Sequence, residues 1–190
     1  PNIKEILKDN STIAAVDKHY EECFEQRRRL GLSQVGHKCH RYLWYKHRGY
    51  DETPPEGRVL RLFQLGNISE DQTAKDLREA GFFVDGQQSP IEFTMDGITL
   101  KGSCDGIITG LLEDTETSHL WEMKTMGDKG FKELLKNGYE AYNDQYRGQI
   151  HAYMLGLELT KAFVTVYNKD NSKLYQEIIP LNSDWIIGKL

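Results

Sequence analysis

The stretches GSCDGIITG (residues 102–110) and HLWEMKTM (residues 119–126) decide how this chain is read. Each is short and rich in β-branched and apolar residues, and the polar loop LLEDTET at 111–117 lies between them, the pattern of two paired strands. Alternation places Asp105, Ile107 and Thr109 on one face of the first strand. On the second it places Leu120, Glu122 and Lys124 on one face and Trp121 and Met123 on the other. A carboxylate and a lysine two residues apart in an otherwise apolar run are expensive to bury unpaired. If the strands pair, Asp105 approaches Glu122, and two like charges in a half-buried site need a cation between them. Oxygen ligands in that arrangement suit Mg²⁺ or Mn²⁺ rather than zinc. A neighbouring lysine can then hold a water or meet negative charge developing on a phosphate. A surface hairpin with a Glu–Lys pair on its wet face would show the same Glu-x-Lys, so that pair alone does not separate the two readings.

Outward from these strands, residues 82–84, 91–95 and 98–101 are further β-type runs, with Asp-Gly turns at 85–86 and 96–97. With residues 103–109 read as one strand, the expectation is an antiparallel meander. Residues 162–167 and 174–179 are two more strands around the turn NKDNS. Before the meander, residues 11–30 read as a helix capped by Ser11 or Thr12 and closed by Gly31. A second helix runs from a Ser33 cap to Arg48, where Gly49 stops it. A third runs over 57–80, with Val59, Leu62, Phe63, Leu65, Ile68, Ala74 and Leu77 at helical spacing and Gly81 at its end. Residues 128–137, 139–157 and the segment from 182 are helical as well. The order predicts an α/β fold, a central mixed sheet flanked by helices, in a single domain of 190 residues.

Composition narrows the function classes. Hydrophobic residues at 38% suffice for a core, and no apolar run is long enough to span a membrane. The first ten residues lack the apolar stretch of a secretory signal, and three cysteines without a CxxC pair exclude a disulfide framework or a four-cysteine zinc site. An intracellular chain with reduced thiols is expected. The net charge of −5 hides an asymmetry: residues 26–50 hold seven Lys/Arg, three His and no acid, which leaves −12 on the rest. Such a segment tracks phosphates, and its Tyr42, Trp44, Tyr45 and Tyr50 can stack on unpaired bases. A solvated basic helix with core aromatics is the alternative. His37, His40 and His47 with Cys39 fall short of a zinc ligand set and read as basic surface.

Asp105 followed by Glu122-Met123-Lys124 resembles the motif of the PD-(D/E)xK nucleases, and the surroundings are similar to the RecB-like and phage-exonuclease branch. Gly66-Asn67-Ile68-Ser69-Glu70 resembles that branch's helical acid, with Glu70 one turn beyond Gly66. Gln149-Ile150-His151-Ala152-Tyr153 resembles its Gln-x-x-x-Tyr helix, and Ser33, Cys39 and Arg41 resemble its lead-in. The similarity runs over about residues 33–167. Two departures stand out. Cys104 occupies the place of the motif's proline, and no late cysteine accompanies Cys39, so the iron–sulfur cluster of some relatives is not expected.

The resemblance implies a restriction-endonuclease-like core. Residues 56–180 would form an αβββαβ catalytic core and residues 1–55 a basic helical N-terminal segment. It implies a Mg²⁺-dependent DNA exonuclease of phage or bacterial recombination, repair or DNA processing, with Mn²⁺ able to substitute. A structure-selective endonuclease and a non-catalytic DNA-binding subunit are the alternatives. Glu70, Asp105, Glu122 and the Met123 carbonyl would hold the metal, Lys124 would orient the attacking water, and Gln149 and Tyr153 would support it. Arg27, Arg28, Ser33, Lys38, Arg41, Lys46 and Arg48 would contact a DNA end or single strand. A recombination partner or a single-strand-binding protein is the further partner class, and no membrane is expected.

Overall fold

A computed structural model describes residues 11–26, 30–50, 53–95 and 97–190. Its centre is a five-stranded mixed sheet in the order β1-β4-β5-β6-β7. The strands are β1 (Phe83–Asp85), β4 (Gly106–Thr109), β5 (His119–Met126), β6 (Lys161–Asn168) and β7 (Leu174–Pro180). Only β5 and β6 run parallel, Glu122 opposite Val164 and Lys124 opposite Val166; the other neighbours are antiparallel. β2 (Pro90–Met95) and β3 (Ile98–Ser103) form a separate hairpin. The expected meander is therefore wrong: β1 skips the hairpin and pairs with β4, Val84 opposite Ile108. Residues 103–109 are not one strand either, because the chain leaves β3 at Ser103 and enters β4 only at Gly106.

β5 is buried on both faces for most of its length, as a central strand should be. Its two faces belong to different cores. Trp121 and Met123 pack with Val84, Ile108, Phe163 and Ala74 under α3 (Gly57–Glu79). Leu120 packs with Val164, Val166, Ile150 and Met154 under α6 (Asp144–Gly156). α3 leaves part of the sheet uncovered, and a groove of about 670 Å³ runs between it and β6–β7, lined by Ile68, Thr73, Leu77, Phe163 and Tyr167 among others. α4 (Asp128–Asn137), α5 (Tyr139–Tyr142) and the short α7 (Ser183–Ile187) complete the helices beyond β5.

The N-terminal helices depart from expectation. α1 (Thr12–Glu22) starts at Ser11, whose hydroxyl accepts from the Ala14 N–H, but it ends well before Gly31. α1 lies on α3 so closely that a Cβ on Gly57 would stand 2.3 Å from the Asp17 carbonyl oxygen. Arg61 pairs with Asp17 across the contact. Gly31 is extended, and Ser33 caps nothing: it sits inside a 3₁₀ turn, Leu32–Gln34. α2 (His40–His47) starts later, at Cys39. Gly49 and Gly81, by contrast, end their helices in left-handed geometry, with φ of 71° and 98°. The helix expected over 139–157 breaks at Asn143, whose side chain accepts from the N–H groups of Gln145 and Tyr146 and starts α6 afresh. Among the described residues no helix is long and apolar enough to cross a membrane.

Candidate active site

The break between β3 and β4 builds the site. Where β4 stops short, β5 has no backbone neighbour on that edge, and the Asp105 side chain takes the vacated place: its Oδ2 accepts the Met123 N–H at 2.8 Å. The carbonyl of a strand residue leaves on the same side as its N–H, so the Met123 carbonyl also points toward this notch. Glu122, next to it, is 0% exposed. Its Oε1 pairs with the Lys124 ammonium, while its Oε2 is buried without a hydrogen-bond partner.

Glu70 comes from the other side, off α3, and its carboxylate lies close enough to feel Asp105 and Lys124. It is steered by Gln88, whose Nε2 donates to Glu70 Oε1 at 2.8 Å. Gln88 occupies the tight turn before β2 with φ of 56°, uncommon for a residue with a side chain. Its backbone N–H donates to the Cys104 carbonyl at 2.9 Å and its Oε1 accepts from the Ser103 hydroxyl at 3.0 Å. One residue thus ties the helical acid to the strand break. Gly66, a turn before Glu70, faces β5 with room to spare: a Cβ there would meet only the Thr125 hydroxyl, at 4.0 Å.

The electrostatics follow from burial. Glu70 is pushed up to about 7, by desolvation and then by the Asp105 charge. Asp105 is raised by desolvation, against Lys124 and the Met123 N–H. Glu122 is raised by desolvation and by Asp105. Burial would lower Lys124, but Glu122, Tyr139 and Asp105 outweigh it and hold the amine well above its ordinary value. Three mutually repelling acids therefore surround one ammonium. Among the described residues no group of three His, Cys, Asp or Glu stands ready-made to hold an ion.

The helices past β5 roof the lysine. Its Nζ lies 5.6 Å from the centre of the Tyr146 ring. Tyr139, stacked on Tyr146 at 5.8 Å, is wholly buried with its hydroxyl unpartnered. Burial holds that phenol far above its usual pKa, and Lys124 is the largest opposing charge. Tyr153 is buried beside Gly102, where a Cβ would meet its ring at 2.8 Å. Burial pushes it up to about 12, with Glu122 adding to the rise and a hydrogen bond with Gln149 working against it. Glu70, Asp105, Glu122, Lys124, Gln149 and Tyr153 are thus brought to one end of the sheet. Tyr139, Tyr146 and Gln88 join them without having been singled out from sequence; the only signal was a Tyr-rich stretch, 139–146, after the Glu-x-Lys strand.

The basic residues are placed apart from this core. Arg41 and Arg48 are exposed on or beside α2, and Lys46 is partly buried there. Lys38 pairs with Asp144 at 3.4 Å in an open ion pair. The Ser33 carbonyl, not its hydroxyl, is engaged, accepting from Gln145 Nε2 at 2.9 Å. Arg27 and Arg28 lie outside the described residues. His151 proves to be a packing residue: its Nδ1 accepts the Asn182 N–H at 3.2 Å, so Nε2 carries the proton toward Glu140 at 2.9 Å.

No family model matches the chain, and no curated protein matches it by sequence. Solved structures do. An alkaline exonuclease, LHK-Exo, from Laribacter hongkongensis superposes with a TM-score of 0.61 at 18% identity, over 90% of this chain and 86% of that one. The same protein in complex with dAMP gives 0.57 at 19% identity, over 85% and 82%. The protein SSO0001 gives 0.51 at 17% identity, over 99% and 83%. The fold is restriction-endonuclease-like. At 17–19% identity these likenesses show a shared fold.

Proposed function

We propose that this protein is a divalent-metal-dependent DNA exonuclease, with Mg²⁺ as the ion and Mn²⁺ as a substitute, serving bacterial or phage recombination, repair or DNA processing. The observation that carries the reading is the buried, unpartnered Glu122 Oε2 among carboxylates whose pKa values are all raised. Such a set is unfavourable without a cation and chemically suited to a hard one. Glu70, Asp105, Glu122 and the Met123 carbonyl would hold it. When bound, the ion supplies a water acidic enough to attack at neutral pH and a charge for the phosphate oxygens.

This chain's own groups do the rest. Lys124, held protonated by Glu122, Tyr139 and Asp105 against its burial, orients the water by donation and faces the developing negative charge. Tyr146 and Tyr139 confine the ammonium on one side, which limits the directions in which it can swing. Gln149 and Tyr153 support the lysine or the scissile phosphate. DNA as the substrate is supported by the exonuclease neighbour and its dAMP complex.

Digestion of end-labelled linear and circular single-stranded DNA, with Mg²⁺, with Mn²⁺ or with chelator, tests this. Linear DNA should be degraded only with metal, the circle should survive, and Asp105→Ala and Lys124→Ala should each abolish cutting. Loss of the circle would mark an endonuclease. Binding without cutting under either ion would mark a non-catalytic subunit.

A further inference from the structure

α2 buries none of its residues, yet it and the turn after it carry four large aromatic side chains, three of them exposed. Trp44, Tyr45 and Tyr50 are 51%, 45% and 55% exposed. They form a deliberate cluster. Trp44 and Tyr50 lie nearly parallel, 27° apart with centroids at 6.0 Å, and Tyr45 meets both edge-on at 5.2 Å. The backbone holds them there. Gly49 ends α2 in left-handed geometry, its N–H donating to the Lys46 carbonyl at 3.1 Å. The Tyr50 N–H reaches back to the Tyr45 carbonyl at 3.1 Å. This pair of bonds is the Schellman motif, and it folds Tyr50 onto Tyr45, the usual apolar contact of that cap.

Surface aromatics in a cluster normally mark something that binds. The chemistry around these narrows the occupant. The Arg48 guanidinium lies 5.7 Å over the Trp44 ring, Arg41 is exposed on the same helix, and residues 30–50 contain no acid at all. Rings with open surface, flanked by guanidinium groups, match bases alternating with phosphates. Bases present their faces only when unpaired. A duplex would offer the phosphates but leave the rings without partners.

The platform is also rooted beside the catalytic notch. The His37 ring stacks on Tyr42 at 4.5 Å, and Gln34 Nε2 donates to the Tyr42 hydroxyl at 3.1 Å, joining α2 to the 3₁₀ turn. Leu32 of that turn packs where Gly102 meets Tyr153. α6 comes so close that a Cβ on Gly148 would stand 2.1 Å from the Val35 carbonyl oxygen.

We infer that Trp44, Tyr45 and Tyr50 form a stacking platform for the unpaired bases of single-stranded DNA, with Arg41 and Arg48 on its phosphates. This rests on the nuclease reading above for the choice of nucleic acid, and it assigns that enzyme a grip on single strands outside its cleavage centre.

The test is binding, not cutting. Oligothymidylate is titrated into the full chain in chelator while tryptophan fluorescence and polarisation of a labelled strand are followed, beside a duplex of equal length. The expected result is saturable quenching that Trp44→Phe removes. Trp44→Ala and Tyr50→Ala should each weaken single-strand binding about 5- to 150-fold, the range of one lost base stack. Duplex binding should change far less. Gly49→Val, which breaks the turn without touching a ring, should reproduce the loss, while Leu112→Ala, a truncation of an exposed side chain between β4 and β5, should bind normally. Equal weakening for single strand and duplex, or wild-type affinity in Trp44→Ala, would overturn the inference. So would a dimer in sedimentation that Trp44→Ala dissociates, since a second copy would then be the occupant. Quenching intact but no cleavage with any divalent ion would defeat the nuclease reading and leave the platform standing. Cleavage with no preference for single strand over duplex in binding would do the reverse.

Discussion

Lys124→Met removes the ammonium that pairs with Glu122 and leaves a fully buried carboxyl beside Asp105. Breaking a buried ion pair from one side costs on the order of 3–5 kcal/mol. The carboxyl can escape that cost by taking up a proton, so the penalty depends on pH. Burial and Asp105 already hold Glu122 above its ordinary pKa, with Lys124 pulling it back down. Without Lys124 it rises further. The native carboxyl then keeps its proton across a range in which the unfolded one, with a pKa of about 4.3, has lost it. The folded state binds more protons, so stability falls as pH rises, by up to about 1.4 kcal/mol per unit. Relative to wild type, the loss is small at about pH 5, where both native carboxyls are protonated, and widens as pH passes the wild-type value. Urea unfolding in chelator from mildly acidic to mildly alkaline pH reads this directly. Adding Glu122→Gln should recover most of the alkaline loss, because no charge is left to bury. A difference that does not change with pH, or a double variant no better than Lys124→Met in alkali, would refute the view that Lys124 is the counter-ion of a buried acid.

Glu70→Gln should act oppositely on stability and on metal. With a native pKa near 7, the ionised carboxylate is a cost above that value, so the amide should raise the melting temperature of the metal-free protein in alkali and shrink the gain on adding Mn²⁺. Calorimetry with and without the ion reads both. Tyr139→Phe deletes a buried hydroxyl that has no partner and keeps the ring on Tyr146, and should leave urea stability unchanged or higher by up to about 1 kcal/mol. His151→Leu strands the Asn182 N–H and one side of Glu140, and should cost about 1–3 kcal/mol in urea without changing metal affinity.

Much of this was legible in sequence because it is local. Helical spacing in α3 and the glycine stops at 49 and 81 depend on a few neighbouring residues and were read correctly, and of the two caps the sequence offered, Ser11 and Thr12, the first is the one used. The two-faced burial of β5 let alternation sort Glu122 and Lys124 from Trp121 and Met123. What failed was non-local. Nothing within residues 103–109 says that Ser103 pairs with Pro90 in one sheet while Gly106 pairs with Trp121 in another. The choice is made by the hairpin's apolar residues, Ile91, Phe93 and Leu100, which bury against α6 rather than extend the main sheet. Asn143 escaped notice because periodicity continues across it; only its side-chain oxygen, capping α6, reveals the break. Tyr139 and Tyr146 were invisible for the same reason, since they meet Lys124 only once that break turns α6 against the sheet.

The strand break that misled the sequence reading is also what gives the site its chemistry. In an unbroken strand over 103–109, the backbone carbonyl of Cys104, opposite Met123 in the β4–β5 register, would satisfy the Met123 N–H, and the Asp105 side chain would stand off the sheet face. Breaking the strand hands that N–H to the carboxylate itself, which draws Asp105 into the plane of the sheet and beside Glu122. Gly106 makes the turn tolerable, because a Cβ there would stand 3.1 Å from the Trp121 ring and 3.2 Å from the Asp85 carbonyl oxygen. The departing hairpin carries Gly102 onto Tyr153, and the turn before it carries Gln88 to Glu70. One discontinuity thereby sets three acids, their lysine and its aromatic roof around one notch. It follows that the residues around Asp105 which make no catalytic contact, Gly102, Gly106 and Gln88, should be as sensitive to substitution as the acids, through geometry rather than charge.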